Sequence, residues 1–130
     1  MGCQTRMVAP GLWLTVPDYI IPADAQGLDS RATTLSGDGF TIFVDEGPFS
    51  DPVTRYAGQP GYEVSTESIN GNPARIVSFE DEEGVRHLVA RLEIVGEAGA
   101  PRGVTIVIHV LPGKDFTVAR KVLESASSQP

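Results

Sequence analysis

Cysteine is almost missing from this sequence: Cys3 is the only one. A lone thiol excludes an intrachain disulfide and a cysteine zinc site. Basic residues are also scarce, with 10 Lys and Arg against 17 Asp and Glu, for a formal net charge of −7. Affinity for a nucleic-acid backbone comes from Lys and Arg, so that partner is not expected. Nor is an anionic membrane surface; the acidic excess reads as solubility. No apolar run approaches the roughly 20 residues that cross a bilayer as a helix. The first residues, as given, lack the apolar stretch of a cleavable signal peptide. Nucleophile elbow, Walker loop, dinucleotide fingerprint and zinc-protease helix are all lacking. What remains is 130 residues, 41% hydrophobic and 21% charged. That is enough for one globular domain with a core and too little for two.

The most regular stretch is residues 103–126. Val104 to Leu111 is β-branched or apolar almost throughout, as in a strand buried on at least one face. Pro112-Gly113 ends it. Asp115 then suits a helix N-cap, and Phe116, Ala119, Val122, Leu123 and Ala126 recur at helical spacing. The spacing predicts a C-terminal helix folded back across a sheet whose middle is the Val104 strand.

Upstream, hairpins follow one another. Gly37-Asp38-Gly39 separates residues 31–36 from 40–45, and Asn70-Gly71 separates 62–69 from 74–79. Asn-Gly is the stronger signal, because a type I′ turn needs positive φ at both central residues. Glu80-Asp81-Glu82-Glu83-Gly84 turns the chain into Arg86–Val95, which alternates well. These four acids lack the spacing of a calcium loop and read as a solvated hairpin tip. Leu12–Pro17 is a short strand ended by proline. Residues 18–28 have no clean period and read as a covering segment. The fold expected is α+β: a single antiparallel sheet of about six or seven strands with the helix on one face. Residues 1–11 read as a flexible tail, and residues 12–128 as the domain.

Strand parity sorts the side chains. Phe40, Ile42, Val44, Ala74, Ile76, Leu88, Ala90, Leu92, Ile94, Val104, Ile106, Ile108 and Val110 fall on the face under the helix. The other face carries Phe43, Val77, Phe79, Val89, Val95, Val107 and Leu111 among Arg75, Arg91 and Glu93. Apolar area on that scale needs a cover or a ligand. Trp13 and residues 19–28 are the expected cover; a binding surface is the alternative.

Chemistry-bearing residues are few. His87 and His109 share the second face. Pairing their strands with apolar faces matched sets His109 opposite Val89 and makes His87 its diagonal neighbour, about 7–8 Å away. A shared metal would need a third ligand such as Glu93 or Asp115, so two unrelated histidines is the preferred reading. Asp45, Glu46 and Asp51 supply carboxylates without a cavity to place them in. No catalytic residue, metal site or cofactor is expected, and the chain reads as a non-enzyme. Residues 46–61 hold three prolines without a period and form the longest irregular stretch; loops of that length often carry function. Phe49, Arg55 and Tyr56 there are the candidate partner-binding residues. Gly2-Cys3 matches the end of a bacterial lipobox, so Cys3 is a candidate lipid anchor, against the plain reading of an exposed N-terminal cysteine. Myristoylation fits less well, since Arg6 stands where Ser or Thr is wanted.

Several runs resemble small bacterial envelope proteins, often lipoproteins: Leu14-Thr15-Val16-Pro17-Asp18-Tyr19, Asp29-Ser30, and Gly39-Phe40-Thr41-Ile42-Phe43-Val44-Asp45-Glu46-Gly47. Ile69-Asn70-Gly71-Asn72-Pro73-Ala74 and Phe116-Thr117-Val118-Ala119-Arg120-Lys121-Val122-Leu123-Glu124-Ser125 add to the likeness. The layout also resembles the fold of PsbP, the extrinsic photosystem II protein, which a small Ran-binding nuclear import factor shares. The resemblance implies a non-enzymatic accessory protein of the periplasm or cell envelope that contacts an unidentified protein partner. It would meet the membrane only through a lipid on Cys3, and would be cytoplasmic if Met1 is the native start. A small-molecule binder with a pocket on the second face is the alternative.

Overall fold

The computed structural model describes residues 2–9, 12–22, 32–46, 61–95 and 101–127. Among these residues nine strands, β1 (Cys3–Ala9), β2 (Leu12–Pro17), β3 (Ile21–Pro22), β4 (Ala32–Gly37), β5 (Phe40–Glu46), β6 (Glu63–Ile69), β7 (Asn72–Glu80), β8 (Arg86–Val95) and β9 (Pro101–Val110), precede helix α1 (Phe116–Glu124). Seven strands make one sheet in the order β3-β4-β5-β9-β8-β7-β6, with β9 at its centre, as the Val104 strand was expected to be. All described pairings are antiparallel. The fold class is thus α+β, with a small second sheet, β1-β2, beside the main one.

The turn residues act as their chemistry requires. Asp38 and Gly39 have φ of 49° and 86°, and Asn70 and Gly71 have φ of 50° and 87°. These are the left-handed values of tight hairpin turns, tolerated by Asp, Asn and Gly. At the start of α1, Asp115 Oδ1 accepts from the Thr117 N–H at 2.9 Å, the N-cap bond the sequence implied. These bonds hold the Asp115 carboxyl below its usual range, the Thr117 hydroxyl first and the Thr117 N–H second.

All thirteen residues assigned by parity to the helix-facing side join one buried core with Ala119, Val122, Leu123 and Ala126. Val8, Leu12, Leu14 and Val16 belong to the same core. Two expectations are corrected here. Residues 3–9 are a strand rather than a tail, paired with β2 from Cys3↔Pro17 to Ala9↔Leu12 with a bulge near Met7. And Trp13 does not cover the second face, because β2 lies on the first. The Trp13 and Ser127 backbones exchange bonds of 2.8 and 3.0 Å, and Thr15 N donates to Ser125 Oγ at 2.8 Å. Tyr19 follows: its ring lies 6.4 Å from that of Phe40, and Ile20 is in the first-face core. Geometry supplies the reason. The helix has nine residues and so is about 14 Å long and about 10 Å wide. A seven-stranded sheet is about 29 Å across at ordinary strand spacing. The helix alone leaves much of its own face uncovered, and the β1–β2 ribbon fills the remainder.

The helix is also pinned to the far edge. Arg120 Nη2 donates to both oxygens of Glu67 on β6, at 2.8 and 2.6 Å. Those bonds lower the Glu67 carboxyl and raise the Arg120 guanidinium. Asn70 Nδ2 donates to the carbonyls of Glu124 and Ala126, at 3.3 and 2.7 Å.

Candidate functional site

The second face is ordered in rows by strand register. One row runs Phe79–His87–His109–Thr41–Ser36, the next Val77–Val89–Val107–Phe43–Thr34, and a third Arg75–Arg91–Thr105–Asp45. Val77 and Val89 are fully buried and Thr105 is nearly so, whereas Phe43 is 40% exposed. The face is therefore closed over β7 and β8 and open over β5.

The two histidines meet. His87 stands directly opposite His109, not diagonal to it, because the β8–β9 register is shifted by two residues from the one expected. The pattern sets which faces match, and a shift of this kind preserves it. Their ring centroids are 4.4 Å apart, edge to face at 65°, and Phe79 stacks on the other side of His87 at 4.4 Å and 9°. The preferred reading of two unrelated histidines is corrected accordingly.

Asp81 completes the group. Its Oδ2 lies 2.9 Å from His87 Nε2. Its Oδ1 accepts from the N–H groups of Glu83 and Val85, at 2.9 and 3.0 Å. Asp81 thus ties the β7–β8 turn to the imidazole row. Its carboxyl is held below its usual range by the His87 bond first and then by these backbone donors. His109 is pushed below the ordinary imidazole value, by burial first and by the His87 charge second, with Asp81 pulling the other way. By sequence the acidic run reads as a solvated tip. Glu82 and Glu83 are exposed as expected, but Asp81 is not spare. The missed signal was register: Glu80 pairs with Arg86, which brings the turn's first residue within reach of the strand's second.

A carboxylate bonded to an imidazole orients its ring. Acyl transfer would need a nucleophile on the same imidazole system. Among the described residues no hydroxyl bonds either ring, and Thr41, opposite His109, makes no bond to it. Among the described residues there is also no group of three potential metal ligands. Glu93 lies six residues along β8 from His87, the partner of His109, and opposite Gly103, and Asp115 is engaged as the N-cap.

The remaining candidates are separate. Phe49, Arg55 and Tyr56, with Asp51, fall outside the described residues. Cys3 is free and exposed. It borders a mostly apolar cleft of about 200 Å³ between the ribbon and α1, with Pro17, Val118 and Val122. No described helix is long and apolar enough to cross a membrane.

No family model matches the chain, and no curated protein does. Solved structures match. The Ran-binding protein Mog1p of Saccharomyces cerevisiae superposes with a TM-score of 0.59 and 13% identity, over 98% of this chain and 96% of that one. The chain has a Mog1p-like fold. This is the layout to which the PsbP resemblance pointed. A second structure, from Bacteroides thetaiotaomicron VPI-5482, matches with a TM-score of 0.53 and 10% identity over 95% of this chain. The present chain spans about half of that longer one, 48% of its length. At these identities the likeness is one of fold.

Proposed function

We propose that this chain is a non-enzymatic accessory domain that acts by contacting another protein, using the second sheet face where it opens over β5. The observation that carries the reading is Phe43, an aromatic side chain 40% exposed in the interior of the sheet, between β4 and β9. Around it stand Thr34, Thr41 and His109, all partly exposed. Buried aromatic anchors with a polar surround are what protein interfaces are built from. That Mog1p binds Ran supports a protein as the partner class for this fold. Phe49, Arg55 and Tyr56, which follow β5 in the chain and lie outside the described residues, stay candidate contact residues.

The cell envelope is the proposed compartment, with Cys3 as a lipid attachment point; its exposure at the start of β1 is compatible with an anchor. The small-molecule alternative loses part of its expected wall, since Trp13 on β2, Tyr19 and Ile20 lie with the first face; residues 23–28 of that wall fall outside the described residues. The test is residue-resolved chemical-shift mapping of the labelled chain against a fractionated envelope extract, with Phe43→Ala in parallel. Shifts clustered at Thr34, Thr41, Phe43, His109 and residues 47–60, and lost in the variant, are expected. Shifts confined to other surfaces would refute the assignment. Metabolic labelling with a radioactive fatty acid, lost in Cys3→Ser, tests the anchor separately.

A further inference from the structure

A different site lies where α1 begins. A cleft of about 290 Å³ opens there, lined by Glu63, Ser78, Phe79, Glu80, Arg86 and Phe116. Strand register gathers the polar members: Glu63 stands opposite Ser78, and Glu80 opposite Arg86. All four share the parity of the helix-covered face, at the end of the sheet beside the first residue of α1. The Arg86 guanidinium carbon lies 3.9 Å from the centroid of the Phe116 ring. Stacking of this kind fixes the guanidinium plane and leaves its N–H donors free at the edge.

The charges in the cleft do not neutralise one another. Among the described residues Arg86 pairs with no carboxylate, and neither Glu63 nor Glu80 pairs with a cation. A stacked guanidinium presents the planar fork that takes a carboxylate by two parallel bonds. Two unpaired carboxylates in the same cleft favour an ammonium group. One ligand satisfies both: a molecule carrying the two charges a few bonds apart. Phe116 gives it an apolar wall. The volume is at the lower end of ligand pockets, about 300–1,000 Å³, and suits a small molecule.

We infer that this cleft binds a small zwitterion, a free amino acid or dipeptide, with its carboxylate on Arg86 and its ammonium group on Glu63 and Glu80. The site is independent of the second-face surface and does not rest on the protein-contact reading. The experiment is a titration of the labelled full chain with L-alanine, L-phenylalanine and L-alanyl-L-alanine, followed by residue-resolved NMR. Acetate and methylammonium serve as single-charge controls. Shifts at Glu63, Ser78, Glu80, Arg86 and Phe116 are expected, with the zwitterions at least about tenfold tighter than either control. Arg86→Gln should weaken binding about 10- to 100-fold, the worth of a charge-assisted hydrogen bond. The Glu63→Gln/Glu80→Gln double variant should weaken it as well, with the circular dichroism of both variants unchanged. The amino acid and dipeptide arms decide which source the cleft prefers. The inference is overturned if no zwitterion shifts these residues at saturating millimolar concentrations. Binding that survives both variants, or controls that bind as tightly as the zwitterions, would overturn it equally.

Discussion

Asn70 is a turn residue whose side chain closes the far end of the molecule, and removing that side chain should cost more than a turn residue normally does. Its backbone has φ of 50°, a region that costs a non-Gly residue about 1 kcal/mol or somewhat more and that Asn tolerates better than Ala. Its Nδ2 donates to Ala126 O at 2.7 Å and Glu124 O at 3.3 Å. Those carbonyls sit at and just past the end of α1, which otherwise leaves acceptors to water. A net hydrogen bond contributes about 0.5–1.5 kcal/mol; the longer, exposed one belongs at the low end. The pair together is therefore about 1–2 kcal/mol. Asn70→Gly removes the bonds and keeps the φ, so it should cost about 1–2 kcal/mol. Asn70→Ala adds the backbone strain and should cost about 2–3 kcal/mol. Asn70→Asp keeps the tolerance for φ but sets a carboxylate against two carbonyls, and should be at least as costly as the glycine variant. Urea midpoints at constant m-value measure all three. Asn70→Gly within about 0.3 kcal/mol of the parent, a difference too small for one net hydrogen bond, would show that the turn geometry alone matters and that the reasoning fails.

Other predictions follow from the same contacts. His109 has a folded pKa below its ordinary value, so the unfolded chain takes up its proton first as pH falls. Stability should therefore decline as pH drops through the ordinary imidazole value near 6.5 and level off below the folded value; urea midpoints between neutral pH and about pH 5 should fall less in His109→Gln. Asp81, whose folded pKa is lowered, stabilises above the ordinary carboxylate value and loses that contribution only at lower pH, which separates the two windows. Glu67→Gln breaks the Arg120 pair between helix and β6; with both side chains about one-third exposed, the cost should be about 1 kcal/mol or less and should shrink in high salt. Leu14 is fully buried in the first-face core, so Leu14→Ala should cost about 2–5 kcal/mol by calorimetry; a cost below about 1 kcal/mol, the surface range, would mean the ribbon is not part of the core.

The helix, the two tight turns and the thirteen first-face residues were legible because each is specified locally. Asp115 caps two residues ahead of itself, Asn70-Gly71 needs only its own φ values, and strand parity follows from alternation. What escaped depends on partners distant in the chain. Leu12, Leu14 and Val16 alternate, which says that one side of their strand is buried, but nothing in the period says against which face. Residues 3–9 hid for a related reason. Cys3 to Arg6 are polar or exposed along an edge, so the strand shows no apolar alternation and exists because β2 pairs with it. For the histidines, parity put both on one face, while the register that sets them opposite each other is fixed by the whole β8–β9 ladder. Asp81 was hidden inside an acidic run whose other members are solvent-facing, so composition masked its distinct role.

The two faces of the sheet therefore differ in kind. Every side chain of the first face that parity assigned inward is committed to packing, against α1 or against the ribbon, and a change there acts through stability. The second face carries groups that folding does not need in those chemical types. A valine row would close the sheet as well without an Asp81–His87–His109 chain beside it, and Phe43 would stabilise more if it were covered. Hydrogen-bonded titratable groups next to an exposed aromatic are costly to keep unless a partner or a proton acts on them. The same holds for the cleft at the start of α1, where Arg86 stacks on Phe116 instead of neutralising Glu80 across the strand. In both places the local interaction that would maximise stability is not the one made, and natural chains depart from that rule mainly where something binds.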